Sequence, residues 1–145
     1  MYTPRRFSLA AAALLFVLSA GTPAIADMVA YGAELKGSTE VPANDTKGTG
    51  VVHASYDTVA KKFTWRISYS GLTGPAIAAH FHGPAAADAN AAPVIPLTGE
   101  LGSPIKGEAT LTDAQAADLQ AGLWYFNIHT AAHKPGEIRG QLAKK

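Results

Sequence analysis

Two histidines separated by a single residue lie in the segment Ala78-Ala79-His80-Phe81-His82. Spacing i, i+2 puts both imidazoles on one face of a β-strand. The other face carries Ile77, Ala79 and Phe81, which are apolar and point to a core. The stretch Leu123–Thr130 repeats the arrangement. Trp124, Phe126 and Ile128 form its apolar face and leave Tyr125, Asn127 and His129 on the polar one. If these two strands are neighbours, His80, His82 and His129 converge. Neutral imidazole is the commonest metal ligand, and an H-x-H pair can chelate one ion. His133, four residues beyond His129, is the candidate fourth ligand. His53, beside Val51 and Ser55 on another strand, is an accessory candidate, as are Glu137 and Arg139. The competing reading is structural: the histidines hydrogen-bond loops, or pair with Glu137 and Asp88. Glu137 and Arg139 share one face of the last strand and read as a surface pair, worth little energetically.

The elements that must position these side chains are mostly strands. Phe63–Tyr69 is the clearest, with Phe63, Trp65, Ile67 and Tyr69 facing in and Thr64, Arg66 and Ser68 facing out. A period of two marks a half-buried antiparallel strand. Tyr31–Lys36, Val51–Tyr56, Ile77–His82, Val94–Leu97, Ile105–Leu111, Leu123–Thr130 and Glu137–Leu142 are read as further strands. Gly37–Gly50 and Gly83–Ala92 are rich in small and turn-forming residues and read as loops. Thr112–Ala121 breaks the pattern: Thr112 and Gln115 have capping-box spacing, alanines favour helix, and Gly122 stands where a glycine cap ends one. Short strands at regular spacing with one short helix predict an antiparallel sandwich or barrel. No internal repeat or second domain is evident.

The N-terminus has a different character. Residues 7–20 hold no charge, Arg5 and Arg6 precede them, and Ala24-Ile25-Ala26 follows. A basic start, a short apolar stretch and an A-x-A site make a secretory signal peptide over residues 1–26. The stretch is too short to span a bilayer. Cleavage after Ala26 leaves one domain, 27–145, in the periplasm or the medium. The full chain has 12 basic and 11 acidic residues, net +1. The signal takes two arginines and no acid, so 10 basic residues meet 11 acidic ones and the exported chain has net charge −1. No run of Lys and Arg remains beyond Lys144-Lys145, which disfavours nucleic acid and anionic lipid as partners. There is no cysteine, so thiol chemistry, disulfides and thiolate metal sites are excluded. For an exported, histidine-based site the suitable ions are copper, preferred, and then zinc. Other motifs are weak. Asn44-Asp45-Thr46 is a glycosylation sequon, Gly48-Thr49-Gly50 lacks a phosphate-loop context, and no G-x-S-x-G elbow occurs.

From about Tyr31 to Leu142 the chain resembles the CHRD domain family, named after repeats in chordin. The resemblance rests on Glu40-Val41-Pro42, on Gly71-Leu72 leading into Ala79-His80-Phe81-His82-Gly83-Pro84, and on the helix beginning Leu111-Thr112-Asp113-Ala114-Gln115. It is completed by Tyr125-Phe126-Asn127-Ile128-His129-Thr130 and Gly136-Glu137-Ile138-Arg139-Gly140-Gln141-Leu142. It implies an all-β fold, an immunoglobulin-like or Cu,Zn-superoxide-dismutase-like antiparallel β-sandwich with one short helix. The family pattern contains residues matching His80, His82, His129, Glu137 and Arg139, whereas His53 and His133 depart from it. Two functions follow as expectations. One is an extracytoplasmic metal-binding protein serving buffering, delivery or tolerance. The other is a non-catalytic module that binds another extracytoplasmic protein, with the H-x-H pair ordering the loop Gly83–Ala92. A superoxide-dismutase-like enzyme stands behind both, because that family's disulfide cysteines are absent and the sequence identifies no loop with its bridging His and Asp zinc site. Fold likeness alone does not establish activity.

Overall fold

Alternating burial follows the alternating sequence. In a computed structural model, which describes residues 25 and 27–145, Lys62–Ser70 forms a strand in which Phe63, Trp65 and Ile67 are buried and Lys62 and Arg66 are exposed. The expected signal peptide, residues 1–26, lies outside the described residues except for Ile25. The strands are β1 (Met28–Lys36), β2 (Thr49–Asp57), β3 (Lys62–Ser70), β4 (Ala76–His82), β5 (Pro93–Pro96), β6 (Ile105–Thr110), β7 (Tyr125–Thr130), β8 (Ile138–Gln141) and β9 (Ala143–Lys144). Among the described residues there is one α-helix, α1 (Asp113–Gln120), between β6 and β7.

The strands form one antiparallel sheet in the order β5-β4-β7-β8-β1-β2-β3-β6, with β9 paired to β1. The sheet curls until its free edges, β5 and β6, line a common cleft with Trp65, so it is nearly closed into a barrel or sandwich. Gly107 on β6 makes room there: a Cβ would come within 2.5 Å of the Trp65 indole. Gly140 plays a harsher role, because a Cβ would stand 2.2 Å from the Glu34 carbonyl oxygen across the β8–β1 contact. The interior is aromatic. Phe63 meets Phe81 and Trp124 edge-on at 5.2 and 5.7 Å between ring centroids, and Phe81 lies 4.8 Å from Phe126. Such edge-to-face contacts suit the ring quadrupoles.

The helix is capped at both ends. Thr112 and Gln115 form the reciprocal capping box, and Gly122 takes φ +74° just past the last turn, a conformation that costs glycine no Cβ clash. Leu119 anchors the helix in the core. Three details differ from the periodic reading. A short 3-10 turn occupies Gly37–Thr39, and β9 adds a strand after Leu142. Ile77 is 55% exposed, because the β4–β7 register shifts between Ala76 and Ala78 and releases it from the inward face. Among the described residues no helix is long and apolar enough to cross a membrane.

Candidate metal centre

Pairing of β4 with β7 sets His80 opposite Asn127, His82 opposite Tyr125, and Ala78 opposite His129. The inward residues Ala79, Phe81, Phe126 and Ile128 are fully buried, so the three histidines share the outer face of this wall. One ring nitrogen from each of His80, His82 and His129 lies within 4.8 Å of the others. Three points that close all fall within about 2.8 Å of a common centre. A small side-chain movement brings them to the ~2.0–2.1 Å of a Zn–N bond. The contact between His80 Nδ1 and His129 Nε2, 3.1 Å, is the tightest in the group.

Backbone carbonyls orient two of the rings. His82 Nδ1 lies 2.9 Å from the Ala91 oxygen, and His129 Nδ1 lies 2.8 Å from the Lys134 oxygen. A carbonyl only accepts, so each Nδ1 carries the proton and each neutral ring keeps its lone pair on Nε2. Second partners of this kind are what orient imidazole ligands in metal sites. His82 Nε2 also lies 3.0 Å from Asn127 Oδ1. A lone pair there faces the amide oxygen unfavourably, and a cation held between the two would relieve that contact. Burial lowers the pKa of His80, with His129 and His82 beside it adding to the effect. Burial also lowers that of His82, against the opposing hydrogen bonds to Ala91 and Asn127. Both shifts keep the rings neutral and their lone pairs available near neutral pH.

The outer face is covered more fully than its sequence suggests. The loop 83–92 folds over it, and His82, Tyr125 and Asn127 are all buried. Tyr125 stacks flat on His82, 4.7 Å between centroids and 1° between planes. The Arg139 guanidinium caps the far side of Tyr125 at 3.4 Å, a cation–π contact. Arg139 also donates to Asn90 Oδ1 (2.9 Å) and to the Ala87 and Ala89 carbonyls (3.3 and 2.6 Å). Gln141 donates to the Ala85 carbonyl at 2.9 Å. These contacts pin the loop over the histidines. Glu40 is buried near Arg139 and Asn127. Burial pushes its carboxyl up to about 7, against the pull of Arg139 and of hydrogen bonds from Val41 and Asn127.

The remaining sequence candidates lie elsewhere. His133 is not gathered with the other three. It sits in the turn between β7 and β8, where its amide bonds the Thr130 carbonyl at 3.2 Å and its own carbonyl accepts from Gly136. His53 is exposed on β2, paired with Arg66 of β3, and that strand is separated from β7 by β8 and β1. Glu137 and Arg139 are not a surface pair. Both are buried, and each uses its charge on other partners. Glu137 accepts from the hydroxyls of Thr46, Thr73 and Thr130 at 2.7, 2.7 and 2.5 Å, and from the Thr73 amide at 2.8 Å. Burial opposes its ionisation, but these bonds outweigh burial and pull its pKa down to about 2. Sequence reasoning missed Tyr125, Asn127 and Glu40 as neighbours of the centre. Tyr125 and Asn127 carried a signal, since both fall on the polar face of a strand whose opposite face is wholly apolar.

Fold and site define a class: an all-β, nearly closed antiparallel domain bearing a three-histidine cluster on one outer wall. The CHRD domain family matches residues 31–142, and the chain belongs to that family. Neither curated proteins nor solved structures yield a match.

Proposed function

We propose that this CHRD domain protein works outside the cytoplasm as a transition-metal-binding protein that holds copper, or zinc in second place, through His80, His82 and His129. The observation that carries the reading is the convergence of three ring nitrogens within 4.8 Å, two of the rings being turned Nε2-inward by backbone carbonyls. Three neutral nitrogen donors suit either ion. They also leave coordination positions for water or for a ligand from a receiving protein, as buffering or delivery needs. Export rests on the N-terminal signal pattern, and the periplasm or the medium is the corresponding compartment.

Titration of the purified protein with Cu(II) and with Zn(II), followed by calorimetry and thermal unfolding, tests the reading. Binding to the folded state alone raises stability by RT ln(1 + [L]/Kd), about 2.7 kcal/mol at a hundredfold excess over Kd. One ion should bind, and His80→Ala with His82→Ala should abolish both binding and the thermal shift. No shift with either metal sinks the proposal.

A second reading has its own observation: the contacts of His82 with Ala91 and Asn127 tie the loop 83–92 to the sheet. On that reading the histidines order a surface that meets another protein. His82→Ala would then loosen the loop and lower the melting temperature in metal-free buffer, while the wild-type protein ignored both ions.

A further inference from the structure

On the wall built by β1, β2, β3 and β6, the register aligns Gly32 with His53, His53 with Arg66, and Arg66 with Lys106. His53, Arg66 and Lys106 are exposed on the outer face, and the Lys145 side chain lies over Gly32 at the end of the same row. Residues scattered over more than ninety positions of sequence thus form one straight line of nitrogen groups across four strands. At the usual strand spacing the line is roughly 14 Å long. Like charges directly opposite one another on neighbouring strands cost stability. Glu34, paired with Lys36 at 2.7 Å, also lies near enough to Lys145 to offset that end of the row, whereas Glu108 is taken by Lys62 at 2.8 Å and leaves Arg66 and Lys106 facing each other. Among the described residues neither Arg66 nor Lys106 has a salt-bridge partner.

We propose that this row is a binding surface for a linear anionic polysaccharide, a polyuronate chain lying across the strands with successive carboxylates over Lys106, Arg66 and the His53–Lys145 end. The line is one residue wide; hydroxyls flank its middle, and the lysine-paired Glu108 and Glu34 flank its two ends. Ser55 and Thr64, hydrogen-bonded to each other at 2.8 Å, lie on one side and Ser68 on the other, as a hydroxylated chain requires. Arg66 presents the planar donor fork that matches a carboxylate. A single-stranded nucleic acid would need aromatic side chains for base stacking. The large apolar residues exposed in the described chain are Ile25, Met28, Val59 and Ile77, none of them aromatic. An anionic bilayer needs a broad positive field, but here Lys36 and Lys62, the cations beside the row, are paired with Glu34 and Glu108, which leaves only a narrow line.

The test uses the purified protein in metal-free, low-salt buffer, with sodium alginate oligomers as the probe. Neutral dextran, phosphatidylglycerol vesicles and oligo-dT serve as comparisons. Alginate should bind, added salt should weaken it, and Arg66→Ser with Lys106→Ser should weaken it about tenfold, the product of two exposed ion pairs. Arg66→Lys, which keeps the charge but loses the fork, should weaken binding less than Arg66→Ser does, and His80→Ala should leave it unchanged. Both positions are solvent-exposed, and the single variant Lys106→Ser gives an independent reading. The proposal is overturned if alginate binds no better than dextran, if the substitutions leave its affinity intact, or if vesicles or oligo-dT bind as tightly.

Discussion

Replacing Glu40 by glutamine should change how stability depends on pH, and the sign can be worked out. The Glu40 carboxyl titrates at about 7 in the folded protein, against 4.5 for an ordinary glutamate. Below pH 4.5 both folded and unfolded chains hold the proton, and the group contributes nothing to the difference. Between 4.5 and 7 only the folded chain holds it, so stability falls as pH rises. Above 7 the full penalty is present, about 3 kcal/mol for a shift of this size. Histidines 80 and 82 act in the opposite sense. Their lowered folded pKa values give stability that is present above the unfolded value near 6.5 and is lost as pH falls below it. The wild-type profile therefore mixes both, and the difference between the two proteins isolates Glu40. Urea denaturation at pH 4.5, 6, 7 and 8 is the assay. Glu40→Gln should gain on the wild type steadily from pH 4.5 to 8, by about 3 kcal/mol in all. A difference that stays flat over that range would refute the assignment of a proton to this buried carboxyl.

Other outcomes follow from the same contacts. Glu137 titrates at about 2, below the ordinary glutamate value, so its contribution is intact above pH 4.5 and disappears as pH falls towards 2. Glu137→Gln should flatten that acid limb in denaturation curves between pH 4.5 and 2. Arg139→Met, which removes the donors holding Ala87, Ala89 and Asn90, should cost roughly 3–5 kcal/mol and speed amide hydrogen exchange in residues 83–92. Gly140→Ala should lower stability by about 2 kcal/mol or more in urea titration, since its Cβ meets the Glu34 backbone oxygen, which cannot move aside.

Local chemistry made much of this fold readable in advance. The alternation Phe63, Trp65, Ile67 and the pair Thr112 and Gln115 act over a few residues, and their outcome depends on little else. The lining of the outer wall was harder to foresee. Nothing in the Ala-rich stretch 83–92 signals that it covers His82, because the contacts that hold it come from Arg139 and Gln141, some fifty residues away. The same distance hid the burial of Arg139 itself, whose alternation on a short last strand looked like that of any surface residue. Whether His80 and His129 meet depends on which strands pair, a matter of topology, whereas periodicity reports only which face each side chain takes. The bulge that exposes Ile77 is likewise a property of the β4–β7 ladder and leaves no mark in the pattern of residues.

The unclosed seam bears on how the protein behaves in crowded solution. Open sheet edges recruit strands from other molecules, and here two such edges face each other. Strand β5 is only four residues long and carries proline at both ends, which removes backbone donors and limits how far a foreign strand can zip along it. Strand β6 presents Lys106 and Glu108 on its solvent side, so a self-pairing copy would have to accommodate charges at its rim. The domain thus carries its own protection against edge-to-edge aggregation, without a disulfide to lock the barrel shut.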